Sequence, residues 1–275
     1  MSPIAPAPAS TLPFVSQSAL PVESTVLIAL VAIALFAGVG ITTIGPGGIF
    51  LTVALYALTP LSPGAIAGTA QAVFVATGIV GTLAYVRSGE LATDGNRTLT
   101  VVISAASVAG AIAGALANAH VSRAMFGLLL GGLASATGFV IVYRERRGFM
   151  PLCSIDAATG RGRLQIAGLG FALGGFSGLL GVGGPVLAVP ALVLVGVPML
   201  HAIAVAQVQS IFIAAFASLG YLAQGVVSIP LAVIVGLPLI AGVLAGWRVA
   251  HRVDPNRLKV ALGGVLLAVG PYLAL

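Results

Sequence analysis

The chain has 275 residues, 59% of them hydrophobic and only 7% charged, with a mean hydropathy of +1.16; a soluble domain carries about 25% charged residues, which excludes a water-soluble enzyme. The 12 Lys+Arg against 6 Asp+Glu give a net charge of +6, but the basic residues sit in short gaps between apolar runs, not in a patch with aromatics, which excludes nucleic acid as a partner. The single cysteine, Cys153, rules out an intramolecular disulfide framework and a cysteine-cluster metal site.

Residues 1–22, rich in Pro, Ala and Ser and lacking a Lys/Arg n-region, read as an N-terminal tail and not as a cleaved signal peptide. Apolar runs follow near 24–44, 47–59, 64–87, 98–118, 122–143, 164–180, 183–196, 200–222, 229–250 and 257–275. Most reach the roughly 20 residues needed to cross a hydrocarbon core of about 30 Å. The runs 47–59 and 183–196 are too short, covering only about 20 Å at 1.5 Å per residue.

The chain repeats itself. Gly45-Pro46-Gly47-Gly48 aligns with Gly181-Val182-Gly183-Gly184 at an offset of 136, which also carries Gln71 onto Gln207, Tyr85 onto Tyr221 and Gly89 onto Gly225. After a four-residue shortening the offset is 132, and Gly110, Gly114 and Gly131–Gly132 fall on Gly242, Gly246 and Gly263–Gly264. The expected fold is therefore an all-α integral membrane protein of two repeats. Residues 23–143 form the first and 164–275 the second, each a broken, re-entrant helix pair followed by three spans, eight to ten membrane segments in all.

Arginine placement sets the expected topology. Arg144, Arg146, Arg147, Arg161 and Arg163 crowd the loop 144–163 between the halves, which makes that loop cytoplasmic. Counting spans outward puts 11 of the 12 basic residues inside, Arg123 being the exception. This count requires 24–59 and 164–196 each to leave and re-enter on one side. Both termini then lie outside, in a cell membrane, and the repeats are inverted.

Inverted repeats with broken helices are the layout of secondary transporters, whose site lies near the midplane where the breaks meet. Irregular backbone at that depth is tolerated only where it lines a cavity or packs against protein. Each short helix would present free N–H groups and about half a positive charge at its start. Two such ends suit a small anion, which makes Gly45, Gly47, Gly48, Gly181, Gly183 and Gly184 candidate binding residues. Gln71 and Gln207, buried amides at repeat-related positions, join them as ligands for the anion or as inter-helix hydrogen-bond donors. Thr69, Gln209 and Ser210 lie on the same stretches as further donors. Gly110/Gly114, Gly242/Gly246 and the run Gly170/Gly174/Gly178 read instead as close helix packing.

All six acids, Glu23, Glu90, Asp94, Glu145, Asp156 and Asp254, fall at span ends or in loops, so no carboxylate serves a midplane ion site. His201, near the second break, is the one titratable group there and reads as an interfacial histidine; His120 and His251 flank loops. No Ser/His/Asp, HExxH or Walker-type constellation is present, and neither an enzyme, a cofactor nor a metal site is expected.

The segment GVGGPVLAVPALVLVGVPMLHAIAVAQ (181–207) and its first-half counterpart GPGGIFLTVALYALTPLSPGAIAGTAQ (45–71) resemble the TauE/SafE family of sulfite-exporter-like membrane proteins. The similarity continues through the Tyr…Gly pairs 85–89 and 221–225 and covers essentially the whole chain after the tail. The resemblance implies transport of a small sulfur-containing anion, sulfite or an organosulfonate such as sulfoacetate, in the export direction. The expected function is thus a secondary transporter working by alternating access, with a passive anion channel of the same architecture as the alternative.

Overall fold

A chain in hydrocarbon has no water to satisfy its N–H and C=O groups, so each apolar run closes its own hydrogen bonds as a helix. The computed structural model describes residues 23–87, 94–147, 159–250 and 255–274, and these form ten α-helices. In the first half they are α1 (Ser24–Thr43), α2 (Ile49–Leu58), α3 (Pro63–Arg87), α4 (Asp94–Asn118) and α5 (Arg123–Arg147). In the second they are α6 (Gly160–Leu180), α7 (Gly184–Leu194), α8 (Met199–Ala223), α9 (Ile229–Ala250) and α10 (Pro255–Ala274). The expected tail 1–22, residues 148–158 of the basic loop with Cys153, and His251 lie outside the described residues.

Seven of the helices are long and apolar enough to cross a membrane; two of the shorter apolar ones are Pro46–Leu58 and Gly184–Leu194. Large apolar side chains cover the outside, among them Ile28, Val101, Leu164 and Leu237, each at least 67% exposed. Water would penalise that surface by about 25 cal/mol per Å², whereas lipid does not.

Glycines decide which helices touch. Helix α4 packs on α6 and α1 on α9, while α5 pairs with α10 and α3 with α8. A methyl group at Gly110 or Gly114 on α4 would strike the carbonyls of Phe171 and Gly175 on α6; one at Gly242 or Gly246 on α9 would strike those of Leu35 and Val39 on α1. These are the same contacts displaced by the repeat offsets. Likewise Gly174 backs onto the Ser107 carbonyl and Gly38 onto that of Leu239, and Gly138 and Gly270 face the carbonyls of Gly263 and Gly131. The packing role read for Gly110, Gly114, Gly170, Gly174, Gly178, Gly242 and Gly246 is the one the structure displays.

The short helices end differently. Helix α7 closes on backbone bonds alone, Val195 N–H to Ala191 C=O and Val197 N–H to Leu192 C=O, with Gly196 at φ +93°. Helix α2 runs into an extended Thr59, and its last carbonyls are held by Arg123 at the start of α5. That guanidinium donates to the carbonyls of Tyr56 (2.6 Å), Thr59 (2.8 Å) and Leu61 and lies 4.7 Å from the Tyr56 ring centroid. A fixed cation over a helix C-terminus satisfies both its orphan carbonyls and its dipole. Arg123, the one basic residue off the positive-inside count, is thus committed to a fold contact. Arg123→Met is expected to cost about 2 kcal/mol, read as a lower melting temperature in detergent. Arg123→Lys should recover under half of it, because an ammonium cannot reproduce the guanidinium fork.

Candidate functional site

Both breaks turn at a glycine. Gly45 (φ +103°) follows α1, and Gly181 (φ +64°) closes α6 with its N–H on the Ser177 carbonyl at 2.8 Å. From there the two halves diverge. Pro46–Gly48 forms a single 3-10 turn leading into α2, whereas Val182 and Gly183 (φ +79°) leave the backbone open until α7 begins at Gly184. Pro46 in place of Val182 accounts for the difference, since a proline that lacks an N–H and fixes φ near −65° starts a helical turn at once. Helical backbone in the first half, counted from Pro46, therefore begins two residues earlier in the repeat frame than in the second, where α7 starts at Gly184.

The two breaks touch. A methyl group at Gly48 would lie 2.9 Å from the Val182 carbonyl oxygen, and one at Gly45 would lie 2.7 Å from a Val189 methyl on α7. Thr52 on α2 donates its hydroxyl to the Gly181 carbonyl. Helices α3 and α8 close in from the sides, with Gly181 against Ala67 and Gly184 against Ser210.

Where these parts converge lies a cavity of about 10 Å³ lined by Ile41, Gly48, Phe74, Thr77, Val182, Gly183, Pro185, Val186, Gln207 and Ser210. That is room for about one water molecule. No lining side chain carries a charge, so the polar groups available to a ligand are hydroxyls, one carboxamide and the backbone at the helix starts.

Of the eleven candidate residues, Gly48, Gly183, Gln207 and Ser210 line this cavity. Gly45, Gly47, Gly181 and Gly184 shape the breaks around it. Gly47 packs back on the last turn of α1, against Ala37 and Ile41. Ser210 accepts the Gly184 N–H at 3.3 Å, so one of the N–H groups expected to stand free at the start of α7 is capped.

Gln71 and Thr69 stand apart from the cavity lining. Gln71 is fully buried and donates to the Ser177 carbonyl of α6 at 2.6 Å, its Oε1 having no partner. Thr69 accepts the Ser228 N–H at 3.1 Å, ahead of α9. Gln207 donates to the Ile41 carbonyl of α1 at 3.5 Å, and Gln209 bonds the Ser107 hydroxyl on α4 at 2.7 Å. Tyr85 and Tyr221, both fully buried, donate to the carbonyls of Thr42 (2.6 Å) and Gly178 (2.7 Å), positions related by the offset of 136. His201 is absent from the lining; its Nδ1 is buried without a hydrogen-bond partner.

Phe74, Thr77, Ile41 and the α7 residues Pro185 and Val186 are lining residues that sequence reasoning missed. The signal for Phe74 was present, since it occupies the repeat position of Ser210.

The chain matches the family described as "Sulfite exporter TauE/SafE" over residues 29–273. It belongs to the TauE/SafE family. A curated relative, a probable membrane transporter protein of Methanocaldococcus jannaschii, is 28% identical over 119 residues, or 38% of this chain. The aligned part spans 43% of that relative's length. No solved structure matches the chain. Membership and the seven long apolar helices make this TauE/SafE protein a multi-pass membrane protein.

Proposed function

We propose that this TauE/SafE protein is a secondary transporter that exports a small sulfur-containing anion, sulfite or an organosulfonate such as sulfoacetate, by alternating access. The observation that carries the reading is the convergence of two repeat-related helix breaks on one uncharged cavity. There the starts of α2 and α7 direct backbone dipoles inward, and Gln207, Ser210 and Thr77 supply donors for anion oxygens. The sulfur chemistry of the ligand comes from the family's description, while the helix starts account for its charge.

In this reading the halves are inverted repeats in a cell membrane, with the loop 144–163 cytoplasmic and both termini outside. The placement of the arginines supports it, and so does the exchange of glycine contacts between α4–α6 and α9–α1. A cavity with room for one water is closed to a four-atom anion, which has to widen it to bind.

Sulfite flux into proteoliposomes tests the proposal against empty liposomes. Saturable flux is expected, reduced about tenfold to a hundredfold in the Gln71→Leu/Gln207→Leu variant, the range for losing a hydrogen bond to a charged ligand. Flux that never saturates would mean a pore. Should sulfite, sulfate, thiosulfate and a sulfonate panel all fail to move, the small-anion reading falls.

A further inference from the structure

The two repeat-related glutamines make the same bond across the halves at two different lengths. Gln71 of α3 reaches the Ser177 carbonyl of α6 at 2.6 Å, and Gln207 of α8 reaches the Ile41 carbonyl of α1 at 3.5 Å. The offset of 136 that carries Gln71 onto Gln207 also carries Ile41 onto Ser177. Each half's carboxamide therefore holds a carbonyl in the last turn before the other half's break. One bond is short and the other is at the outer limit of a hydrogen bond. The neighbouring tyrosines act within their own halves and show no such difference, at 2.6 and 2.7 Å. Of these two repeat-related pairs of bonds, only the pair that crosses between the halves is unequal.

We propose that Gln71 and Gln207 are reciprocal latches, each alternating between holding the opposite half's break and presenting its amide to the central cavity. This assignment rests on the alternating-access reading. When two repeat-related halves exchange conformations, the half with the short bond in one facing has the long bond in the other. In the conformation described, Gln207 holds its carbonyl loosely and lines the cavity, while Gln71 is latched outside the lining. Gln71 Oε1 is buried without a partner, as are Asn118 Oδ1 and Gln209 Oε1, so the latched carboxamide keeps an unfilled acceptor. The tyrosines keep each break attached to its own half, so the breaks move as units while the glutamine bonds open and close. Gln71 and Gln207 are thus positioning residues that set the balance between facings.

The test measures that balance directly. A reporter cysteine is placed at Thr77 in a chain carrying Cys153→Ser. It is labelled by a membrane-impermeant thiol reagent from each face of oriented vesicles, with no anion added. Methionine keeps the length of glutamine and removes its donors. Gln71→Met is expected to shift the ratio of labelling between the two faces about threefold to tenfold. Gln207→Met is expected to shift it by a similar factor in the opposite direction, and the double variant to return it towards native. Shifts of the same sign, or no shift, would overturn the proposal.

If Gln207→Met does not fold, Gly81→Ala takes its place, because a methyl there would lie 2.6 Å from Gln207 Oε1 and displace the side chain. Gln71→Leu serves likewise for the other arm. Labelling requires no transported anion, so a failure here leaves the sulfite result standing, and the reverse also holds.

Discussion

Alanine at Gly110 or at Gly242 is expected to lower the melting temperature of the detergent-solubilised protein by roughly 5–10 °C, the effect of about 2–3 kcal/mol in a chain of this size. Each glycine lies where a helix crosses its neighbour backbone to backbone, and the added Cβ would enter the carbonyls of Phe171 and Leu35 respectively. Backbone cannot rotate away as a side chain can, so the whole pair α4–α6 or α1–α9 must separate. That forfeits dispersion contacts, the main attraction between helices in lipid. Gly132 and Gly168 provide the control: nothing lies within 4 Å of a Cβ at either, and alanine there should be neutral or slightly stabilising. The comparison is made by thermal melts followed by size exclusion. Melting of Gly110→Ala together with Gly132→Ala would sink the packing argument. Because the two crossings are repeat-related, Gly110→Ala and Gly242→Ala should also fall by similar amounts.

Much of this arrangement is legible in the residues alone. A span must be about 20 residues long and apolar, so counting runs finds the helices, and the two short runs at 47–59 and 183–196 emerge as α2 and α7 within a few residues. The repeat offset locates the breaks and the glycine crossings, because close approach of backbones leaves a mark that only small residues can make. Arg123 shows the limit of charge counting. Positive residues report topology on average, and this one instead caps a helix whose end, unlike that of α7, lacks a glycine turn.

Helical faces are what sequence does not expose here. In a soluble helix, polar and apolar stripes show which side is buried. In α3 and α8 the lipid side and the protein side are both apolar, so the rotation of each helix is set by packing. Gln71, from its depth and its repeat partner Gln207, and Thr69, from its place on the same stretch, therefore read as candidate cavity residues, while the structure turns them onto α6 and onto the segment before α9. Phe74 and Thr77, about one and two turns past Gln71, take the lining instead. The inequality of the two breaks has a similar origin. A proline one residue after the turning glycine starts a 3-10 turn, and with valine at the same place no helical turn forms before Gly184.

Gly183 is where a single methyl group should separate fold from transport. Its φ of +79° with ψ of 153° belongs to a region that only glycine occupies at low cost. A Cβ there would press on the Phe74 ring at 3.3 Å, a contact that a small shift of the ring relieves. Alanine is thus opposed mainly by conformation, at about 1–3 kcal/mol. The strain is relieved by turning the Gly183–Gly184 peptide, which redirects the N–H groups at the start of α7 and disturbs the bond to Ser210. Sulfite flux per folded protein is therefore expected to drop at least tenfold in Gly183→Ala, while the protein still elutes as a folded species. Gly225, also at positive φ (+68°) but with open space around it and far along the chain at the end of α8, isolates the effect of strain. Gly225→Ala should lose about 1 kcal/mol of stability and keep its flux within about twofold. If Gly183→Ala carries sulfite as well as Gly225→Ala does, the start of α7 is not where the anion binds. The ligand would then have to be held by Gln207, Thr77 and the α2 end of the cavity.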